Sequence, residues 1–93
     1  MAVGFEIYYE STVVNVDIPK LSSTWKVKIR SAIEDKLPLY PEVYGKPLRQ
    51  SLKGYRKLRV GDYRVVFRID GSRIRVFAIL HRSVIYSVMG SRL

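Results

Sequence analysis

Four basic side chains, Lys57, Arg59, Arg64 and Arg68, flank a Gly61-Asp62 pair. A two-residue reversal there, with glycine in the first central place, is the pattern of a tight hairpin. It pairs Val60 with Tyr63, Arg59 with Arg64, Lys57 with Val66 and Tyr55 with Arg68. Successive side chains of a strand point to opposite faces. Tyr55, Lys57, Arg59, Arg64 and Arg68 therefore share one face, and Leu58, Val60, Tyr63, Val65, Phe67 and Ile69 share the other. Like charges directly opposite on neighbouring strands destabilise the free protein. A face that merely keeps a protein soluble ordinarily mixes its signs. The basic face is suited instead to a polyanion, RNA first among them. Guanidinium groups take phosphate oxygens two at a time, and Tyr55 and Phe77 add rings on which unpaired bases can stack.

Few other residues offer chemistry. His81 is the only histidine, so no histidine pair exists to hold a metal or to share acid and base roles. It can carry a proton near neutral pH or hydrogen-bond a phosphate, or it can be incidental to function. Tyr86 lies four residues beyond Arg82, and a helical turn would bring the two together; the competing reading is a rim aromatic. Tyr63 reads as core, because its neighbours on that face are Val, Phe and Ile. There is no P-loop, no dinucleotide-binding glycine fingerprint and no metal-ligand cluster, so neither cofactor nor metal is expected. Asp62 and Asp70 sit in or beside turns, which is too little for a paired-carboxylate mechanism. Any catalysis must use cationic, histidine or tyrosine groups.

The distribution of charge agrees. The 93 residues carry a net +9. Residues 1–45 hold five Lys/Arg against six Asp/Glu, and residues 46–93 hold twelve against two. Such asymmetry points to nucleic acid, an anionic membrane or an acidic protein. Cysteine is absent, which excludes disulfides and fits a cytoplasmic setting. The opening residues lack a basic and an apolar region of signal-peptide type, and no apolar run is long enough to span a membrane. The length suits one domain, 1–93.

The elements that must position these groups follow from periodicity and punctuation. Residues 4–9 read as a strand. Residues 11–18 read as a short helix ended near Pro19, although Val13, Val14 and Val16 are poor helix formers. Ser22 or Ser23 can cap a second helix; Trp25 anchors it, Ile29, Ala32 and Ile33 continue its apolar face, and Leu37-Pro38 ends it. Residues 38–51 read as an irregular connection. Strands at 55–60, 63–70 and 73–80 then form a meander, with the second turn near Gly71. Unbroken alternation through the third strand puts Ile74, Val76, Ala78 and Leu80 in the core, and Arg73, Arg75, Phe77 and Ile79 on the basic side. Residues 84–90 read as a terminal helix or a tail packed on the sheet.

The run from Leu48 through Lys53, Gly54, Lys57, Leu58, Arg59, Gly61, Asp62, Tyr63 and Arg64 to Phe67 closely resembles the RelE/ParE superfamily of toxin–antitoxin toxins. So does the ending from Ala78 through His81 and Arg82 to Tyr86. Together these motifs cover about half the chain, and the order of elements fits the rest. The resemblance implies an α+β fold: a small antiparallel sheet, made of an N-terminal strand plus a C-terminal three-stranded meander, with two N-terminal helices packed on one face. RelE-type members cleave mRNA in the ribosomal A site. The 2′-hydroxyl attacks the adjacent phosphate and leaves a 2′,3′-cyclic phosphate and a 5′-hydroxyl.

By this resemblance Lys57 matches a proton-accepting lysine, Arg64 an arginine that stabilises the scissile phosphate, and Tyr86 a tyrosine that orients the nucleotide. Two positions depart from the pattern. Tyr55 replaces a second lysine, and the proton-donating arginine aligns with Leu80, beside His81 and Arg82. His81 or Arg82 is therefore the candidate donor, and arginine's high pKa favours His81. A lysine that accepts a proton must first lose its own, which neighbouring cations favour; otherwise Lys57 serves as an electrostatic stabiliser. Lys53, Tyr55, Arg59, Arg68, Arg75 and Phe77 complete the expected RNA surface. The resemblance also implies an acidic antitoxin partner, with ribosome and mRNA as targets. Two other functions fit the same sequence: a ParE-type gyrase poison that cuts no RNA, and a non-catalytic RNA-binding module.

Overall fold

The computed structural model describes residues 4–48 and 54–92. Its elements run in the order β1 (Glu6–Tyr9), a helical segment, α1 (Ser23–Lys36), α2 (Pro41–Tyr44), β2 (Lys46–Pro47), β3 (Tyr55–Val60), β4 (Tyr63–Asp70), β5 (Arg73–His81) and α3 (Ile85–Arg92). The strands form one sheet in the order β1-β5-β4-β3-β2. The α+β class and the meander are as expected, but the sheet is mixed rather than antiparallel, because β1 runs parallel to β5. The helices between them carry the chain back so that both strands point the same way. A short strand, β2, also lies within the stretch expected to be irregular, with Lys46 facing Lys57.

Ser22 caps α1, accepting from the Trp25 N–H at 3.3 Å. Ile29, Ile33 and Leu37 are its buried stripe. They pack with Val13, Leu58, Val65, Phe67, Ile74, Val76 and Ile79 on one face of the sheet. The segment before α1 changes pitch: a π-helical turn, Val13–Asp17, precedes a 3₁₀ turn, Ile18–Lys20. The Ile18 N–H reaches back five residues to Val13 O. β-Branched residues crowd a regular α-helix, and here Val13 and Asp17 are the two that turn inward.

The centre of β4 is buried on both sides. Val65 and Phe67 face the α1 layer, while Val66 meets Ala78, Ile85 and Met89 beneath α3. Burying a side chain the size of Phe67 stabilises by roughly 1.5–3 kcal/mol. A continuous apolar run is what a doubly covered strand requires.

The β4–β5 ladder corrects the expected parity of β5. Phe67 faces Val76, Val66 faces Ala78, and Phe77 is the extra residue of a bulge between them. An extra residue reverses the alternation beyond it. Ala78 and Leu80 therefore pack with Val66 and Phe77 on the basic side, and Ile79 joins the α1 core.

Candidate functional site

The Gly61-Asp62 reversal has the expected register: Tyr55 faces Arg68, Lys57 faces Val66 and Arg59 faces Arg64. Gly61 has a φ of +58°, a region favouring glycine, and a Cβ there would lie 2.5 Å from Trp25 Cη2. Trp25 in turn packs on Tyr63 at 4.9 Å between ring centroids. α1 thus clamps the tip of the hairpin that carries Arg64. The Arg64 guanidinium donates to Gly61 O and Tyr63 O, both at 2.9 Å, so its position is set by the turn itself.

Lys57, Arg64, His81, Arg82 and Tyr86 line one open depression of about 370 Å³, with Ser83 and Ile85. Lys57 Nζ donates to Tyr86 Oη at 3.4 Å and lies 5.8 Å from the centre of its ring. Burial, then the neighbouring Arg59 and Arg82 charges, push the Arg64 guanidinium below its ordinary range. An anion placed against it would offset that repulsion. The Arg82 backbone N–H donates to Asp62 O at 2.8 Å, and its exposed side chain lies 3.7 Å from the Asp62 carboxylate. His81 Nδ1 accepts from the Ser83 N–H at 3.1 Å and lies 2.8 Å from Ser83 Oγ. Nε2 is the nitrogen left for a ligand. Tyr63 meets the His81 ring edge-on at 5.8 Å.

The other expected RNA contacts divide. Arg59 is exposed on the same face, and Lys53 lies outside the described residues. Arg68 is held at the far end of the face, donating to both Asp70 oxygens at 2.9 and 3.0 Å and to Tyr55 Oη at 3.1 Å. Arg75 bridges Glu10 at 3.0 Å and Asp70 at 3.3 Å. Tyr55 and Phe77 meet edge-on at 5.2 Å, and guanidinium groups lie over both rings. These four side chains form an internally satisfied network, not a row of free cations and open rings. Hydrogen bonds to Asp70 hold Arg68 above its ordinary pKa range, and bonds to Glu10, then Asp70, do the same for Arg75.

Sequence reasoning missed the group that holds α3 in place. Asp17 is buried and accepts from the Ile79 N–H at 3.0 Å. It also pairs two-to-two with Arg92 at 2.6 and 2.8 Å, and Arg92 donates to Phe77 O at 3.1 Å. Phe77 is the bulge residue and Ile79 lies two residues beyond it, where the ladder shifts and backbone groups need other partners. One ion pair thus satisfies the bulge and pins the end of α3, the helix that carries Tyr86. Seventy-five residues separate the two charges, so no local spacing announces them. Among the described residues no group of three His, Asp or Glu side chains is placed to hold a metal ion, and no helix is long and apolar enough to cross a membrane.

A mixed sheet carrying such a depression, with helices on both faces, defines a small α+β fold. Residues 7–86 match the family described as ParE toxin of type II toxin-antitoxin system, parDE, and the chain belongs to that family. A stretch of 48 residues is 46% identical to Toxin RelE of Mycobacterium tuberculosis; the match spans about half of this chain and half of that relative. The toxin–antitoxin complex RelBE2 of M. tuberculosis contains a similar chain, with a TM-score of 0.79 and 28% identity over 86% of this chain and all of that one. A chain of the RelB-RelE antitoxin-toxin complex of Methanococcus jannaschii shares the fold, with a TM-score of 0.66 and 22% identity over 87% of this chain and 96% of that one.

Proposed function

We propose that this protein is a RelE-type toxin that cuts mRNA on the ribosome and is neutralised by an acidic antitoxin. The observation that carries this reading is the convergence of Lys57, Arg64, His81, Arg82 and Tyr86 on one depression whose lining contains no carboxylate. A scissile phosphate seated between Lys57 and Arg64 has the Arg64 guanidinium as a cationic donor where charge develops on its oxygens. Lys57 Nζ accepts the proton of the 2′-hydroxyl as that oxygen bonds to phosphorus. The bond from phosphorus to the 5′-oxygen breaks, and the leaving oxygen takes the Nε2 proton of an imidazolium at His81, whose Nδ1–H donates to Ser83 Oγ. Tyr86 orients the nucleotide through its ring and its contact with Lys57. The antitoxin follows from the complexes in which the similar chains occur, and from the surplus of basic charge that an acidic partner would neutralise.

The family's ParE description favours a second reading, poisoning of DNA gyrase without RNA cleavage. Primer extension on mRNA translated in a purified system separates the two. Ribosome-dependent cuts that disappear in Arg64→Ala and Tyr86→Phe are expected. Uncut mRNA together with gyrase-dependent DNA breaks would replace the nuclease with the gyrase poison.

A further inference from the structure

A second depression, of about 340 Å³, adjoins the first and shares Lys57 and Arg64 with it. Its other walls include Lys36, Tyr44, Lys46 and Arg59, and no carboxylate. Two like-charged pairs meet there: Lys46 faces Lys57 across β2 and β3, and Arg59 faces Arg64 across β3 and β4. Directly opposed like charges weaken a sheet, and this repulsion is confined to the floor of one hollow. The two depressions also have the same make-up. In the first, the Lys57 ammonium lies 5.8 Å from the centre of the Tyr86 ring; in the second, Lys36 lies 5.3 Å from that of Tyr44. Each therefore offers a tyrosine flanked by a cation, and the two depressions meet at Lys57 and Arg64. Tyr44 is 42% exposed, more than a ring recruited only to fill a core would be. A cationic groove combined with an accessible ring is the arrangement that binds single-stranded nucleic acid.

We propose that the second depression is a nucleotide subsite on the far side of the cleaved phosphate. The base stacks on Tyr44, and the next backbone phosphate is held by Lys36, Lys46 and Arg59. The proposal rests on the nuclease reading for its placement of the scissile phosphate at Lys57 and Arg64. It adds that the RNA continues past Lys57 and Arg64 toward α2 and β2, instead of along the sheet toward Arg68 and Arg75. That second path is closed to a phosphate chain by Asp70 and Glu10, which already occupy those guanidinium groups.

The test is binding of a short single-stranded RNA with 2′-O-methyl sugars, which cannot be cut, to the whole protein and its variants by fluorescence anisotropy. Salt is varied over about 50–200 mM. Lys36, Tyr44 and Lys46 are all exposed, so alanine at each leaves the fold intact, as thermal melting would confirm. Removing one phosphate contact should flatten the slope of log affinity against log salt by about 0.7. That change is expected for Lys46→Ala and for Lys36→Ala. Tyr44→Ala should weaken binding roughly 5- to 100-fold with the slope unchanged, because stacking is not a charge contact. RNA affinity and slope unaltered in all three variants would overturn the subsite, while cleavage by the wild type and its loss in Arg64→Ala would leave the nuclease reading standing. Unaltered RNA binding with weakened binding of a poly-glutamate peptide would give the depression to an acidic protein and equally overturn the proposal. Subsite effects that persist in a protein that cuts no mRNA would remove the nuclease reading and overturn the placement beside a cleaved phosphate, leaving a binding site for single-stranded RNA.

Discussion

Arg64 and Arg68 stand four residues apart on one strand and one face, yet their surroundings act on them in opposite directions. Arg68 sits among carboxylates and a phenol, and its charge is stabilised. Arg64 sits against two carbonyls with Arg59 and Arg82 nearby, and its charge is disfavoured. Among the described residues Lys57, Arg59 and Arg64 form no ion pair, whereas Arg68 and Arg75 share Asp70 and Glu10. Register alone gives these side chains a common face. The partners that decide between a binding site and a structural network are Glu10, just past β1, and Asp70, at the end of β4. A basic stripe on a strand is therefore two things at once, and only the end where Lys57, Arg59 and Arg64 form no ion pair retains charge for a ligand.

The unpaired end depends on α3 for one wall, and the largest effect should come from cutting that wall loose. Asp17→Asn leaves Arg92 without its counter-charge in a buried place, which typically costs about 3–5 kcal/mol. Thermal melting should fall by more than about 12 °C, and mRNA cleavage should fall with it as Tyr86 loses its fixed position. A melting temperature within about 2 °C of wild type would show that the bulge is held by something else. Arg64→Ala should come next. Loss of one preorganised donor to a developing oxyanion lowers the rate about 10²–10³-fold. Melting should barely change, because the variant also relieves repulsion with Arg59. A drop in melting with cleavage intact would reverse the roles assigned to the two ends.

The hairpin at Gly61-Asp62 and the common face of Lys57, Arg59 and Arg64 were legible in the sequence because they depend on local rules, turn chemistry and two-residue alternation. The α+β fold and the grouping of His81, Arg82 and Tyr86 with Arg64 were legible only through the resemblance to the RelE/ParE superfamily. What was not legible depends on contacts between distant elements. Alternation through β5 failed at Phe77, since a bulge needs partners for its backbone, and Asp17 and Arg92 supply them from opposite ends of the chain. The parallel placement of β1 escaped for the same reason, as did Glu10, which β1 delivers to Arg75. Lys46 read as part of a loop, although β2 sets it opposite Lys57. Arg68 and Arg75 had the right face and the right chemistry for RNA. Two carboxylates at 2.9 to 3.3 Å divert them.

The paired end should respond weakly where the unpaired end responds strongly. Arg68→Ala should change cleavage no more than severalfold. It should lower melting by no more than about 5 °C, in keeping with a partly exposed ion pair. A loss of cleavage as deep as that of Arg64→Ala would mean that the RNA runs over this end after all.

Asp70→Asn is the gentlest and most discriminating change. It frees Arg68, and partly Arg75, without moving the backbone. The salt dependence of RNA binding should then steepen by up to about 0.7 for each guanidinium that gains a phosphate. Acidity gives an independent check. The Arg68 hydrogen bonds, then those of Arg75, hold the Asp70 carboxyl below its ordinary range. A carboxyl depressed in the folded state binds fewer protons there than in the unfolded chain. Its stabilising contribution is present above the unfolded value, about 3.9, and is lost as pH falls through the lower folded value. The difference in urea midpoint between wild type and Asp70→Asn should accordingly be constant above roughly pH 5 and close only below about 3.9. A difference that closes near neutrality would mean that the carboxylate is not held by the two arginines. The same cations would then be available to a ligand, and the contrast between the two ends of the face would disappear.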